Sequence, residues 1–212
     1  MASTGQTTTR AASSRPLLAR EFVYAHKRRR LFAALAELTS EQGYEATSIS
    51  DIVRRAAVAR KTLYDSFSGK EELLLDAVDD AIAAAFARIE AACAGEGEWP
   101  ERVEAGLAAL LAELAEQPDR AHLWIVVAPA AAPASAQRYD EAQSRFLALL
   151  RATAPRATAP PAPVEESLIG GVAWVLHRQL RSGDAERAPE LLPDLSALVI
   201  DAYGARPSKI AP

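Results

Sequence analysis

The sequence predicts an all-α protein: a small N-terminal helical domain followed by a larger helical one. Three observations carry this. Alanine, leucine and arginine dominate the 212 residues and β-branched residues rarely cluster, a balance that favours helix over strand. Apolar residues recur three and four apart through most of the chain, with no alternating strand pattern. Charge is divided unevenly. Residues 1–75 hold 12 Lys+Arg against 8 Asp+Glu, and the remainder holds 12 against 20, so the net charge of −4 hides a basic head on an acidic body.

Half of the residues are hydrophobic, enough for a sizeable core. Cys93 is the single cysteine, which excludes an internal disulfide and a cysteine-based metal site and suits a reducing cytoplasm. No apolar signal core follows Met1. The longest apolar run, residues 123–134, is cut by Pro129 and Pro133 and is too short to span a bilayer. A soluble cytoplasmic protein without a membrane partner is expected.

Residues 1–20 are rich in Ser, Thr and Ala, with Arg10, Arg15 and Arg20, and read as a disordered arm. Such an arm is either a solvated tail or a basic strand that touches DNA phosphates. A helix is expected over 21–42, with Leu31, Phe32, Leu35 and Leu38 on one face. Lys27, Arg28, Arg29 and Arg30 fall in its first half, where cations oppose the helix dipole unless a phosphate is near. Gly43 stands where a helix ends in the left-handed conformation.

Ser48 is placed to cap a short helix over 49–56, and Asp51 completes an approximate capping box. Ile49, Ile52 and Val53 form its apolar side. Residues 57–59 make a tight turn, with Val58 as an apolar plug. A second short helix over 60–67 turns Leu63 and Phe67 inward and leaves Arg60, Lys61, Thr62, Tyr64 and Ser66 outside. Ser68-Gly69 breaks the chain. Lys70 opens a long helix to about residue 92, whose Leu73, Leu74 and Val78 stripe ties the two parts together. Further helices are expected over 101–117, 120–127, 135–151, 164–182 and 188–202. Residues 152–163 are too rich in proline for helix, and 207–212 should fray.

Two short helices joined by a tight turn are a helix-turn-helix, which lays its second helix in the major groove of double-stranded DNA. The first turn of that helix faces base edges. Arg60, with two parallel donors for guanine, is the choice for base readout, and Lys61 serves bases or phosphates. Thr62 suits a thymine methyl or a phosphate. Lys70, at a helix N-terminus, is placed to grip a phosphate, and Ser48 and Ser50 are similarly placed one helix earlier.

Residues 28–78 resemble the DNA-binding domain of the TetR family of bacterial transcriptional regulators. The resemblance rests on Gly43-Tyr44, Thr47-Ser48-Ile49-Ser50-Asp51-Ile52, Thr62-Leu63-Tyr64-Asp65-Ser66-Phe67 and Gly69-Lys70-Glu71-Glu72-Leu73. The chain departs from the family pattern in five places. Ala57 replaces the usual turn glycine and Ala59 the usual polar turn residue. Thr39 stands for an aromatic, Val53 for alanine, and Ser66 for the small or aromatic residue often found before Phe67.

The resemblance implies a TetR-type DNA-binding domain over 21–75 and an effector-binding and dimerisation domain over 76–205. It implies a homodimer on a palindromic operator, in the family's commoner mode a repressor, released by a small-molecule effector. Tyr64 would be its phosphate-binding tyrosine. The last two helices would pair with their copies. Leu168, Val172, Leu176 and Leu180 make one stripe and Leu191, Leu195 and Leu198 another, and Gly170-Gly171 allows close backbone approach. Each stripe also reads as intramolecular core. Phe86, Trp124, Tyr139, Phe146, Trp174 and His177 are candidates to line a mostly apolar effector pocket, or else to fill a core.

No cofactor or metal is expected, because the three histidines have no metal-ligand spacing. Two alternatives remain: a helical enzyme or small-molecule binding protein without a DNA role, and a regulator triggered by a protein partner. Against an enzyme, no Gly-rich phosphate loop, His-Glu-x-x-His or cysteine nucleophile signature is found, and Asp79 and Asp80 diverge on adjacent helical positions.

Overall fold

The apolar face at Leu31, Leu35 and Leu38 begins a core that continues from the N-terminal helices into the rest of the chain. The computed structural model describes residues 14–95, 97–155 and 159–204. Among them are α1 (Ser14–Gln42), α2 (Ile49–Arg55), α3 (Arg60–Tyr64), α4 (Lys70–Cys93), α5 (Trp99–Glu116) and α6 (Pro118–His122). Then follow α7 (Ala128–Ala131), α8 (Pro133–Thr153), α9 (Ala162–Arg181) and α10 (Leu192–Ala202). A π-helical turn, Leu123–Val127, joins α6 to α7, and a 3-10 segment, Ala185–Leu191, leads into α10. No strand occurs among the described residues.

Helix α1 begins at Ser14, so residues 14–20 are helical and do not belong to an arm, while residues 1–13 lie outside the described residues. The cluster of Lys27, Arg28, Arg29 and Arg30 is therefore mid-helix, beyond reach of the terminal dipole. Arg28 pairs with Asp76 of α4 at 2.9 Å and lies over the Phe32 ring. Gly43 ends α1 at φ +82°, a left-handed backbone that glycine adopts without penalty. Ser48 and Asp51 form the capping box on α2: each accepts the other's backbone N–H, both at 3.2 Å. Arg55 ties α2 to Glu37 and Glu41 of α1 at 3.0 and 2.7 Å.

Helix α4 spans its 24 residues without proline or glycine. Leu73, Leu74, Ala77 and Val78 are buried near its start, and Ala85, Phe86 and Ile89 are buried nearer its end, where α4 lies along α5 and α8. A fully buried carboxylate, Glu113 of α5, receives Arg88 of α4 at 2.9 Å and Nε of Arg120 of α6 at 2.8 Å.

The expected helix over 120–127 is part of a longer helical run, 118–131. Within it Ala128 N–H donates to the Leu123 carbonyl five residues back. Pro129 just beyond has no N–H to continue the usual ladder, which places the wide turn beside it.

The C-terminal helices are held by a second buried carboxylate. Tyr203, fully buried after α10, donates its hydroxyl to Glu165 of α9 at 2.6 Å, and Arg151 of α8 donates to the other oxygen at 2.7 Å. The Tyr203 hydroxyl, then Arg151, holds the Glu165 carboxyl below its usual range. Burial, and then the bond to that carboxylate, pushes the Tyr203 phenol up. A depressed carboxyl stabilises the fold above its unfolded pKa, about 4.3, and that contribution is lost as pH falls through the folded value. Tyr203→Phe should cost about 1–3 kcal/mol at neutral pH in urea denaturation. Glu165→Gln should lower stability at pH 7 and make it fall less steeply than wild type as the solution is acidified below pH ~4. Parallel acid limbs for the two proteins would show that Glu165 carries no such linkage.

Candidate DNA-binding surface and interior cavity

The turn between α2 and α3 sets how α3 stands on the surface. Ala57 adopts φ +48°, the left-handed region, although it carries a Cβ. That conformation costs an L-residue about 1–2 kcal/mol. The surrounding structure holds it there: Arg30 donates to the Ala57 carbonyl at 3.2 Å, and Val58 N–H donates to the Val53 carbonyl at 3.1 Å. Ala59 occupies the N-cap of α3 and offers no side-chain acceptor. Helix α3 is five residues long, shorter than the 60–67 expected, but Asp65 N–H to Lys61 and Phe67 N–H to Leu63 continue its hydrogen bonding. Leu63 and Phe67 are buried, with the Phe67 ring against Phe32.

This geometry gathers four of the eight expected DNA-contact residues on one exposed surface. The Arg60 guanidinium lies between Ser50 Oγ and Tyr64 Oη, 3.4 Å from each, and 5.7 Å from the centre of the Tyr64 ring. Lys61 stands exposed alongside. The other four are less available. Ser48 is committed to its capping box, and half-buried Ser66 donates back to the carbonyl of half-buried Thr62 at 3.2 Å. The Lys70 ammonium donates to the carbonyls of Tyr44 and Thr47 at 2.9 and 3.0 Å and sits 4.0 Å from the Tyr44 ring centre. Two of its three donors thus hold the α1–α2 loop against the start of α4, leaving one for a phosphate.

In the larger part, a cavity of about 130 Å³ lies between α4, α5, the π turn, α8 and α9. Trp124, Tyr139 and Phe146 are among its walls. Phe86 is not; it stacks behind Phe146 with ring centres 4.1 Å apart. Trp174 and His177 are not either. Trp174 is 65% exposed, with the His177 ring stacked beside it at 5.7 Å.

The expected interface stripe is also corrected. Leu168, Val172, Leu176, Leu180 and Leu195 are buried within the single chain, and Leu191 is half-buried. Val172 and Leu176 are cavity walls. Only Leu198 of that set is exposed. An i, i+4 stripe marks an apolar face but does not say what covers it, and here α9 turns that face inward. Gly170 and Gly171 face open space.

Sequence reasoning missed Cys93, Arg102, Gly106 and Gln143, all of which line the cavity. A Cβ on Gly106 would come within 2.7 Å of Cys93 Sγ, so any side chain there requires the Cys93 thiol to move. The Cys93 thiol, 3.5 Å from the Arg102 carbonyl, is pushed up chiefly by burial. A glycine inside a helix was the one available signal for this contact.

An N-terminal helix-turn-helix that exposes a cationic, hydroxyl-bearing second helix, in a fold all-helical among the described residues, defines a helix-turn-helix DNA-binding protein. Residues 31–77 match the family of bacterial regulatory proteins, tetR family. The uncharacterized HTH-type transcriptional regulator YezE of Bacillus subtilis (strain 168) is 39% identical over 59 residues, 26% of this chain and 30% of that protein. Residues 31–77 thus match a TetR-family N-terminal domain, and the chain spans about a third of the length of that curated relative.

The fold likeness extends further than the sequence likeness. The fatty acid degradation regulator FadR of Bacillus halodurans superposes with a TM-score of 0.72 at 16% identity, covering 82% of this chain and 94% of that one. The FadR of Bacillus subtilis, solved in complex with stearoyl-CoA, gives 0.72 at 16% identity over 82% and 98%. A TetR family regulator of Marinobacter aquaeolei VT8 gives 0.68 at 18% identity over 84% and 95%.

The turn yields a prediction. Ala57→Gly should relieve the left-handed backbone and stabilise by about 0.5–1 kcal/mol once the greater freedom of the unfolded glycine is counted. Ala59→Ser should add a cap worth about 1 kcal/mol. Both are read as upward shifts in the urea midpoint. A downward shift for Ala57→Gly would mean that the alanine is not strained.

Proposed function

We propose that the chain is a DNA-binding transcriptional regulator, a repressor, that holds a palindromic operator as a homodimer and releases it when a small, mostly apolar effector enters the cavity. The observation that carries this is the grouping of Arg60, Ser50 and Tyr64 on one exposed surface with Lys61 beside it. Arg60 reads a guanine through two donors. Tyr64 and Ser50 bond phosphates and set the register, Lys61 adds charge, and Lys70 gives its remaining donor. Thr62, Ser48 and Ser66 act by shaping the helices more than by touching DNA. No catalytic role is assigned, and the working compartment is the cytoplasm.

The DNA-reading unit is taken as residues 21–75 and the effector and dimer unit as 76–205. In this reading the partner copy covers the outer face of α9 and α10. There Val164, Trp174 and Leu198 are 42%, 65% and 46% exposed, and exposed Gly170 carries no side chain. Two copies related by a two-fold axis present two recognition helices to two half-sites. The stearoyl-CoA bound by the Bacillus subtilis FadR of the same fold supports an apolar effector.

Selection of DNA fragments by the purified protein should return an inverted repeat. On that site Arg60→Ala should weaken binding by about 1–3 kcal/mol and relax preference at one base pair in each half. Lys61→Ala should weaken all sequences alike and reduce the salt dependence. Undiminished operator binding by the Arg60→Ala/Lys61→Ala double variant would remove this surface from the DNA interface.

A further inference from the structure

The chemistry of the cavity wall narrows the class of occupant. Most of the wall is hydrocarbon: Ile89, Leu107, Leu110, Phe146, Val172 and Leu176 among others. No aspartate or glutamate lines it. Its one charged group is Arg102, near the start of α5. The arginines on α4, α6 and α8 (Arg88, Arg120, Arg138, Arg145 and Arg151) all pair with carboxylates. Arg102 pairs with none among the described residues, and its buried Nε has no hydrogen-bond partner.

A second buried donor on the wall, Trp124 Nε1, also lacks an acceptor. Tyr139 and Gln143 complete the polar set from α8. An unmet donor in such a place costs about 1–3 kcal/mol, and an acceptor brought by a ligand recovers it. The site is thus short of acceptors and of negative charge, while its body is apolar.

We propose that the occupant is an apolar carboxylate whose anionic end is taken by Arg102 and whose hydrocarbon body lies against Phe146, Leu107 and Val172. Arginine binds a carboxylate through two parallel N–H donors, and the low-polarity wall strengthens that pair. Cationic ligands meet Arg102 with no compensating acid. An apolar cavity of similar size, about 150 Å³, accommodates benzene, so a body built on one aromatic ring is the appropriate probe. The proposal rests on the cavity being the effector site, and its test reads binding without DNA.

Three compounds with one body and different heads make the test: 4-phenylbutyrate, 4-phenylbutanol and 4-phenylbutylamine, titrated calorimetrically into the full chain. The butyrate should bind about tenfold or more tightly than the alcohol, and the amine most weakly. Arg102→Met should abolish the preference for the acid while keeping the alcohol's affinity, which shows that the cavity persists. A variant that still prefers the acid, an amine that binds as tightly as the acid, or a wild type that binds none of the three overturns the proposal. Adding operator DNA separates the two readings. An Arg102-dependent acid that leaves the DNA complex intact keeps the ligand class and removes the effector role. Release of DNA by acid and alcohol at the same concentration keeps the effector role and removes the anionic class.

Discussion

Helix α4 is buried at both of its ends, in different surroundings, and the rest of the structure is arranged around that. Leu73, Leu74, Ala77 and Val78 complete the core that α1, α2 and α3 cannot close alone. Ala85, Phe86 and Ile89 do the same for α5 and α8. One long helix and two short ones around Ile52 and Leu63 bury too little apolar surface to be stable in isolation. Borrowing one face of a 24-residue helix solves this. Its consequence is that the helix-turn-helix cannot be moved without moving α4, and α4 cannot be moved without disturbing the larger core.

Two buried carboxylates then fix how the remaining helices meet that spine. Glu113 joins α4, α5 and α6 through Arg88 and Arg120. Glu165 joins α8, α9 and the end of α10 through Arg151 and Tyr203. Neither supplies the bulk of stability, since desolvating a carboxylate and its partners offsets most of the attraction. Burial of leucine and alanine faces supplies that. What the carboxylates add is geometry: a helix that slips by one residue leaves a buried charge unpaired, at a cost of about 3–5 kcal/mol. Apolar faces alone tolerate such slips, because leucine packs against leucine in several registers.

The parts of this arrangement that were legible in the sequence are those set by neighbours a few residues apart. The Ser48–Asp51 capping box, the left-handed Gly43 and the inward Leu63 and Phe67 are all consequences of local spacing, and the structure shows each. Contacts between distant residues left little trace. Lys70 was read as a phosphate ligand because it starts a helix, but its ammonium reaches back 26 residues to the Tyr44 carbonyl. The regular leucines of α9 read as either an outer seam or core and aromatic Trp174 as either pocket wall or core; the structure buries the leucines and exposes Trp174. Periodicity defines a stripe without defining what lies opposite. Arg102 gave no signal at all. Its interest comes from what is absent around it in three dimensions: a carboxylate.

The same spine sets what a cavity occupant can do to the DNA-reading surface. Ile89 and Cys93 form cavity wall near the end of α4, and Lys70 and Asp76 hold the α1–α2 loop and α1 near its start. Between Lys70 and Ile89 the helix rises about 28 Å, with no proline or glycine at which to kink. Toward α5 it is closely packed, with the Cys93 sulfur and the Ile89 side chain set against Gly106. Were an occupant larger than the resting cavity to displace α4, the helix would move as a rod. At the other end such a displacement would act on the loop carbonyls held by Lys70 and on Arg28 of α1, and so on the angle at which α3 is presented. A cavity bordered instead by flexible loops would absorb the strain locally; this one borders the helix that the helix-turn-helix is built on.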